Sequence, residues 1–148
     1  MKAAYLGHVV FYVEDLERSL SFYRDLLGFQ EVGRIFGGAA AALTSGRTHH
    51  ELLLIEVGQA QPPARGRRLG LYHIGIKIGD SLEDLREAKA ELERAGIEIS
   101  GMSDHTVSQS LYLADPDGNE VELYVDADPA IWKQNPAAVV APIKPLKL

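Results

Sequence analysis

An internal repeat constrains this chain more than any other feature. The segment LGHVVFYVEDLERSLSFYRDLLGF, residues 6–29, resembles LYHIGIKIGDSLEDLREAKAELERAGI, residues 71–97. His8 and His73 then correspond at an offset of 73 − 8 = 65. Each copy opens with apolar residues at alternate positions, the period of a strand. Val9, Phe11 and Val13 oppose His8, Val10 and Tyr12; Ile74, Ile76 and Ile78 oppose His73, Gly75 and Lys77. A helix follows in each. Asp15 is placed to cap the first, whose stripe is Leu16, Leu20, Tyr23 and Leu27, and Gly28 stops it. Ser81 is placed to cap the second, with Leu82, Leu85, Leu92 and Ala95 on one face and Gly96 at its end. Three short strands complete each copy, near 29–35, 38–44 and 50–57 and near 97–101, 107–114 and 119–125. The sequence therefore predicts an α+β fold, a single domain over residues 1–148. It consists of two tandem βαβββ units, 5–57 and 71–126, forming a curved mixed sheet. Residues 58–70, GQAQPPARGRRLG, are the linker. Residues 127–148, with Pro129, Pro136, Pro142 and Pro145, read as an extended C-terminal arm around Trp132.

The composition narrows the chemistry. Without cysteine there are no thiolate nucleophiles and no Cys-type zinc sites, so a metal has to rest on His and carboxylates. The formal net charge is -6 and the one basic cluster, Arg65, Arg67 and Arg68, sits in the Pro/Gly-rich linker as a solvated group. That pattern argues against nucleic acid or a membrane surface as partner. No apolar run approaches the ~20 residues of a membrane span, and the start lacks signal-peptide features. A cytoplasmic protein is the expectation.

Strand parity selects the residues that face away from the helices. Val121, Leu123 and Val125 form a packing face, leaving Glu120, Glu122 and Tyr124 on the other; Leu111 and Leu113 likewise leave Tyr112. Pairing of the two copies into one curved sheet would bring His8, His73 and Glu122 together. Two neutral imidazoles and one carboxylate, with open positions, suit Fe(II) and also accept Mn(II). A lone His or Glu on a strand is commonly a surface residue. A His recurring at one place in both copies, with a carboxylate on the matching last strand, weighs toward a metal. Aligning Gly46 with Gly118, an offset of 118 − 46 = 72, sets His50 opposite Glu122. Periodicity alone leaves His50 and Glu51 equally open, and only that alignment selects His50. His49 reads as a turn residue, and His105 lies in the loop-like run GMSDHTVS.

These motifs resemble the vicinal oxygen chelate superfamily. It includes glyoxalase I, bleomycin-binding proteins, methylmalonyl-CoA epimerase, fosfomycin-modifying enzymes and extradiol ring-cleaving dioxygenases. The resemblance covers residues 5–126 through GHVVFYVEDLERSLSFYRDLLGF, YHIGIKI and YLADPDGNEVELY. The extradiol dioxygenases are the members it is most similar to. That resemblance implies an Fe(II) or Mn(II) site on His8, His73 and Glu122. It implies His50 of THHELLLI as a non-ligand acid/base, with Tyr112, at 122 − 112 = 10 residues before the Glu, and His105 of SDHTVSQSLYL as further catalytic residues. It also implies an aromatic, catechol-like substrate, O2 and a homodimer. Glyoxalase I is the competing member, with Ni(II) or Zn(II). It takes a carboxylate ligand from the first unit's last strand, where His50 stands and Glu51 lies one residue off register. A non-catalytic small-molecule (antibiotic) binding protein of this fold is a further alternative, against which His8, His73 and Glu122 together count.

Overall fold

The alternation of Val9, Phe11 and Val13 makes one edge of a four-stranded sheet in the computed structural model, which describes residues 2–64 and 66–148. Arg65 of the basic cluster lies outside the described residues. The chain divides into two compact units, residues 1–64 with 116–118 and residues 65–115 with 119–148.

The first unit contains β1 (Val9–Val13), β2 (Gln30–Ile35), β3 (Ala40–Thr44) and β4 (Leu52–Glu56), in the spatial order β1-β4-β3-β2. β1 runs parallel to β4 and the other pairs are antiparallel. Asp15 caps α1 (Leu16–Leu20) as expected, its Oδ1 accepting from the Arg18 amide at 2.8 Å. The helix then departs from expectation, because Ser21–Leu26 winds as a π-helix. The Leu27 amide reaches back five residues to the Phe22 carbonyl at 3.0 Å. The wider turn rotates the apolar stripe. Leu16, Leu20 and Tyr23 are buried, Phe22 joins them, and Leu27 is only half-buried. Gly28, at φ +79°, takes the left-handed conformation that ends the helix. Phe11, Val13, Leu52, Leu54, Ala41 and Leu43 form the buried face of the sheet, while Val10 and Tyr12 are exposed on the other.

The second unit repeats this plan with β5 (His73–Gly79), α2 (Leu82–Arg94), β6 (Ile99–Asp104), β7 (Ser108–Ala114) and β8 (Glu120–Asp126). The order is β5-β8-β7-β6, and β5 is parallel to β8. Ser81 and Asp84 form a reciprocal capping box at the start of α2. Leu85 and Leu92 are buried and Ala88 half-buried between them, whereas Leu82 and Ala95 are exposed. The buried face thus runs Leu85, Ala88, Leu92, at three- and four-residue steps, and Leu82 and Ala95 lie off it. β8 alternates strictly, with Val121, Leu123 and Val125 buried.

The register corrects one equivalence drawn from the sequence. Val10 pairs with Leu53 in the first unit and Gly75 with Glu122 in the second. Since 75 − 10 = 65 is the repeat offset, the counterpart of Glu122 is Leu53, not His50, and 122 − 53 = 69 is the offset of the last strands. The antiparallel neighbours agree: Ala42 faces Leu53 as Tyr112 faces Glu122. A bulge recurs too, between Glu31 and Gly33 and between Ile99 and Gly101. Alignment on Gly46 and Gly118 failed because residues 45–51 join β3 to β4 while only 115–119 join β7 to β8.

The C-terminal arm is not simply extended. It forms α3 (Ala130–Gln134) and a 3₁₀-helix (Pro136–Val140) before β9 (Lys144–Pro145) pairs with β6 at Ser103 and Asp104. Trp132 stays 44% exposed and Ala138 is the residue buried there. Among the described residues no helix is long and apolar enough to cross a membrane.

The burial of α2 gives a direct check. Leu85, at 0% exposure, should cost about 2–5 kcal/mol of unfolding free energy when replaced by Ala. Leu82→Ala, at 40% exposure, should cost less than about 1 kcal/mol. Denaturant titration of both variants measures this, and equal losses would return Leu82 to the packing face.

Candidate functional site

In the second unit, β5, β7 and β8 present one polar cluster on the face that the apolar residues leave. Glu122 is its centre. Its Oε1 accepts from Ser110 Oγ at 2.6 Å and from Tyr112 Oη at 3.0 Å. Its Oε2 lies 3.1 Å from His73 Nε2. His105 Nε2 stands 2.7 Å from Tyr112 Oη. The Tyr hydroxyl has one proton, which it donates to Glu122, so His105 must be the donor in its own bond to Tyr112. The run His105, Tyr112, Glu122 is then satisfied in one direction. Burial, and then the Glu122 carboxylate, push the Tyr112 hydroxyl up to about 12. It is therefore a firmly protonated donor at neutral pH. Gly75 sits opposite Glu122, and a Cβ there would lie 3.4 Å from the Tyr124 ring and 3.6 Å from Glu122 Oε2.

The first unit gathers histidines instead. The exposed His8 immediately precedes β1, and its ring centroid lies 4.6 Å from that of His50. His50 Nδ1 is 2.6 Å from His49 Nδ1, with ring centroids 4.5 Å apart. His49 is thus a direct partner of His50 rather than a bystander on the turn. Burial, followed by the charges of His49 and His8, pulls the His50 pKa down. His50 lies two residues before β4, in the irregular segment that leads into it. Its neighbour Glu51 turns elsewhere: it accepts from the Ser45 amide at 2.9 Å, from Thr44 Oγ1 at 3.0 Å and from Ser45 Oγ at 3.1 Å, and it pairs with Arg47. Of the two residues that periodicity left open, His50 adjoins His8, and Glu51 closes the turn.

His73 and Glu122 fit two ligands of a divalent cation. Their facing donors, 3.1 Å apart, match the roughly 3 Å between two cis ligands each about 2.1 Å from one centre. Among the described residues no group of three or more His, Cys, Asp or Glu is arranged to hold a metal ion. The cluster in the second unit also contains two residues to which the sequence reading gave no part. Ser110 shares the face of Tyr112 two positions on, so strand parity alone would have found it. Glu120 shares the face of Glu122 for the same reason and lies opposite His73 in the β5–β8 register.

This chain belongs to the glyoxalase/bleomycin resistance protein/dioxygenase superfamily, whose family model matches residues 5–123. It is 37% identical over 131 residues to the catechol-2,3-dioxygenase of Bacillus subtilis (strain 168), a match covering 88% of this chain and 45% of that protein. It is 32% identical over 120 residues to the glutathione transferase FosA of Serratia marcescens, covering 81% of this chain and 79% of FosA. The chain thus spans about half the length of the first relative and about four-fifths of the second. Among solved structures, a glyoxalase/dioxygenase from Nostoc punctiforme aligns with a TM-score of 0.72 over 84% of this chain and 92% of that one. At 21% identity, that likeness shows the fold.

The role of Glu51 is open to test through pH. Burial acts to raise its carboxyl, but the hydrogen bonds from Ser45 and Thr44 and the charge of Arg47 outweigh this and hold the pKa below the ordinary value. A depressed folded-state pKa stabilises the fold above the unfolded value, and that contribution disappears as pH falls through the folded one. Glu51→Ala should therefore cost about 1–3 kcal/mol at pH 7. The gap to wild type should narrow below about pH 4.3. Denaturation curves across pH that keep a constant gap would separate Glu51 from this turn.

Proposed function

We propose that the chain is a metal-dependent, extradiol-type dioxygenase, opening a catechol-like ring beside its two hydroxyls with O2. The proposed metal, Fe(II) or Mn(II), would be held by His8, His73 and Glu122. One observation carries the reading: Ser110 and Tyr112 saturate Glu122 Oε1, which leaves Oε2 facing His73 Nε2 at 3.1 Å as a ready two-donor edge. The third ligand, His8, is assigned from its repeat equivalence to His73. The identity to a catechol-2,3-dioxygenase supports the substrate class. A bound metal supplies Lewis-acid polarisation and a common centre for a substrate with two adjacent oxygens and for O2.

The remaining steps belong to the side chains. His50, beside His8 and held through Nδ1 by His49, takes a substrate hydroxyl proton at Nε2 and later returns it; imidazole titrates in the range this needs. With substrate bound, Tyr112, kept protonated, turns its one proton from Glu122 Oε1 to a substrate oxygen, leaving Ser110 to hold that carboxylate oxygen. His105 holds the phenol by donating to it. Both atoms of O2 end in the ring-opened semialdehyde, so no further oxidant is required.

A glyoxalase-like site gains no support from the first unit. Leu53 occupies the counterpart of Glu122, and Glu51 is engaged by Ser45 and Thr44. A second reading, a glutathione-type transferase, is favoured by length, since the match spans 79% of FosA.

Reconstituted anaerobically, the protein should bind about one Fe(II) or Mn(II) per chain, and the iron form should consume O2 with substituted catechols to give yellow products. Ala at His8, His73 or Glu122 should abolish metal binding. His50→Ala should retain it while turnover drops ~10²–10⁴-fold. Oxygen electrode traces that stay flat over a broad catechol panel would sink the dioxygenase reading. Glutathione consumption by the metal-loaded protein in the presence of an electrophilic acceptor such as an epoxide would favour the transferase.

A further inference from the structure

A second carboxylate adjoins the His73–Glu122 pair and has no part in the steps above. Glu120 lies opposite His73 in the β5–β8 register, with Oε1 3.4 Å from His73 Nδ1. Both atoms are buried, and neither has a hydrogen-bond partner. Leaving a ring nitrogen and a carboxylate oxygen buried and unpaired is unfavourable. Each is a complementary group for the other, a few tenths of an ångström beyond hydrogen-bond distance. The carboxylate raises the pKa of the Tyr72 hydroxyl, whose ring centroid lies 4.8 Å from that of His73.

We propose that Glu120 is a positioning residue for His73, accepting its Nδ1–H and so leaving Nε2 as the nitrogen that would give its lone pair to a metal beside Glu122 Oε2. The inference rests on the metal reading above. A neutral imidazole carries one N–H, and a proton held at Nδ1 leaves Nε2 as the ligating nitrogen. Glu120 is not itself placed as a ligand, because it approaches the opposite nitrogen of the ring. Among the described residues the first unit has no equivalent clamp. The offset of 120 − 51 = 69 makes Glu51 the counterpart of Glu120, and its carboxylate is turned to Ser45 and Thr44. The two units thus share the histidine but not its support.

The test uses wild type, Glu120→Leu and Glu120→Gln, titrated anaerobically with Fe(II) or Mn(II) by calorimetry. The ¹⁵N shifts of the His73 ring are read in the metal-free proteins. Wild type should show Nδ1 protonated. The Leu variant should populate the other tautomer and bind metal about 10–100-fold more weakly. The Gln variant, whose amide oxygen still accepts from Nδ1, should recover both properties to within about 10-fold. Should the Leu variant not fold, Glu120→Asp, one methylene short, carries the same expectations as Leu. Equal affinity and an unchanged tautomer in the Leu variant would overturn the inference alone. So would a Gln variant as impaired as Leu, which would make Glu120 a ligand. Wild type that binds no metal overturns both the metal reading and this inference.

Discussion

The parallel ladder between the first and last strands of each unit governs what the rest of the molecule can do. A parallel pair cannot be joined by a tight turn, so a long crossover must fill the connection, and here a helix and two further strands do so. The result is βαβββ, and the helix covers one side of the sheet. Once the buried side is fixed by Val121, Leu123 and Val125 on β8, the pleat sends Glu120 and Glu122 to the other. The ladder then sets Glu120 opposite His73 and Gly75 opposite Glu122. A glycine at the latter place keeps the space beside the carboxylate open. A one-residue slip would exchange the polar and apolar faces of β8 and remove the cluster entirely.

Within the second unit the polar groups order one another. Glu122 has four lone-pair sites, and two hydroxyls occupy one of its oxygens. Those bonds fix the plane of the carboxylate and single out the oxygen that meets His73. The direction of the hydrogen bonds is dictated by the chemistry of a carboxylate, which can only accept. Tyr112 must donate, and His105 must donate to Tyr112. Half-burial makes this ordering matter, because a mispaired group in such surroundings loses water without gaining a partner.

The two units show how one backbone plan carries different chemistry. At matched positions the second has Tyr112 and Glu122 where the first has Ala42 and Leu53. Both keep a histidine where the opening strand begins, His8 and His73, and a glutamate where the last strand begins, Glu51 and Glu120, but Glu51 is drawn away to Ser45 and Thr44. The first unit adds its own pair, His49 and His50, in the segment leading into β4, where a longer loop places His50 beside His8. Function here resides in substitutions on a duplicated scaffold rather than in the scaffold itself.

The sequence by itself determined the duplicated βαβββ order, the caps at Asp15 and Ser81, the strand faces, and the polar side on which His73, Tyr112 and Glu122 meet. Each of these follows from local periodicity or from a single side chain bonding its own backbone, interactions that span only a few residues. What only the tertiary structure decided depends on register and on crowding between distant segments. The π-turn at Ser21–Leu26 swings Phe22 inward, which no helical period announces. The counterpart of Glu122 is Leu53, because hydrogen-bonded pairing counts residues along the strands and ignores the unequal loops between them. The choice between His50 and Glu51 fell to the hydroxyls and amide of Thr44 and Ser45, which capture the carboxylate and leave the imidazole beside His8. Glu120 needed the parallel ladder to set it against His73, forty-seven positions away by 120 − 73 = 47, a separation at which sequence pattern carries no information about contact.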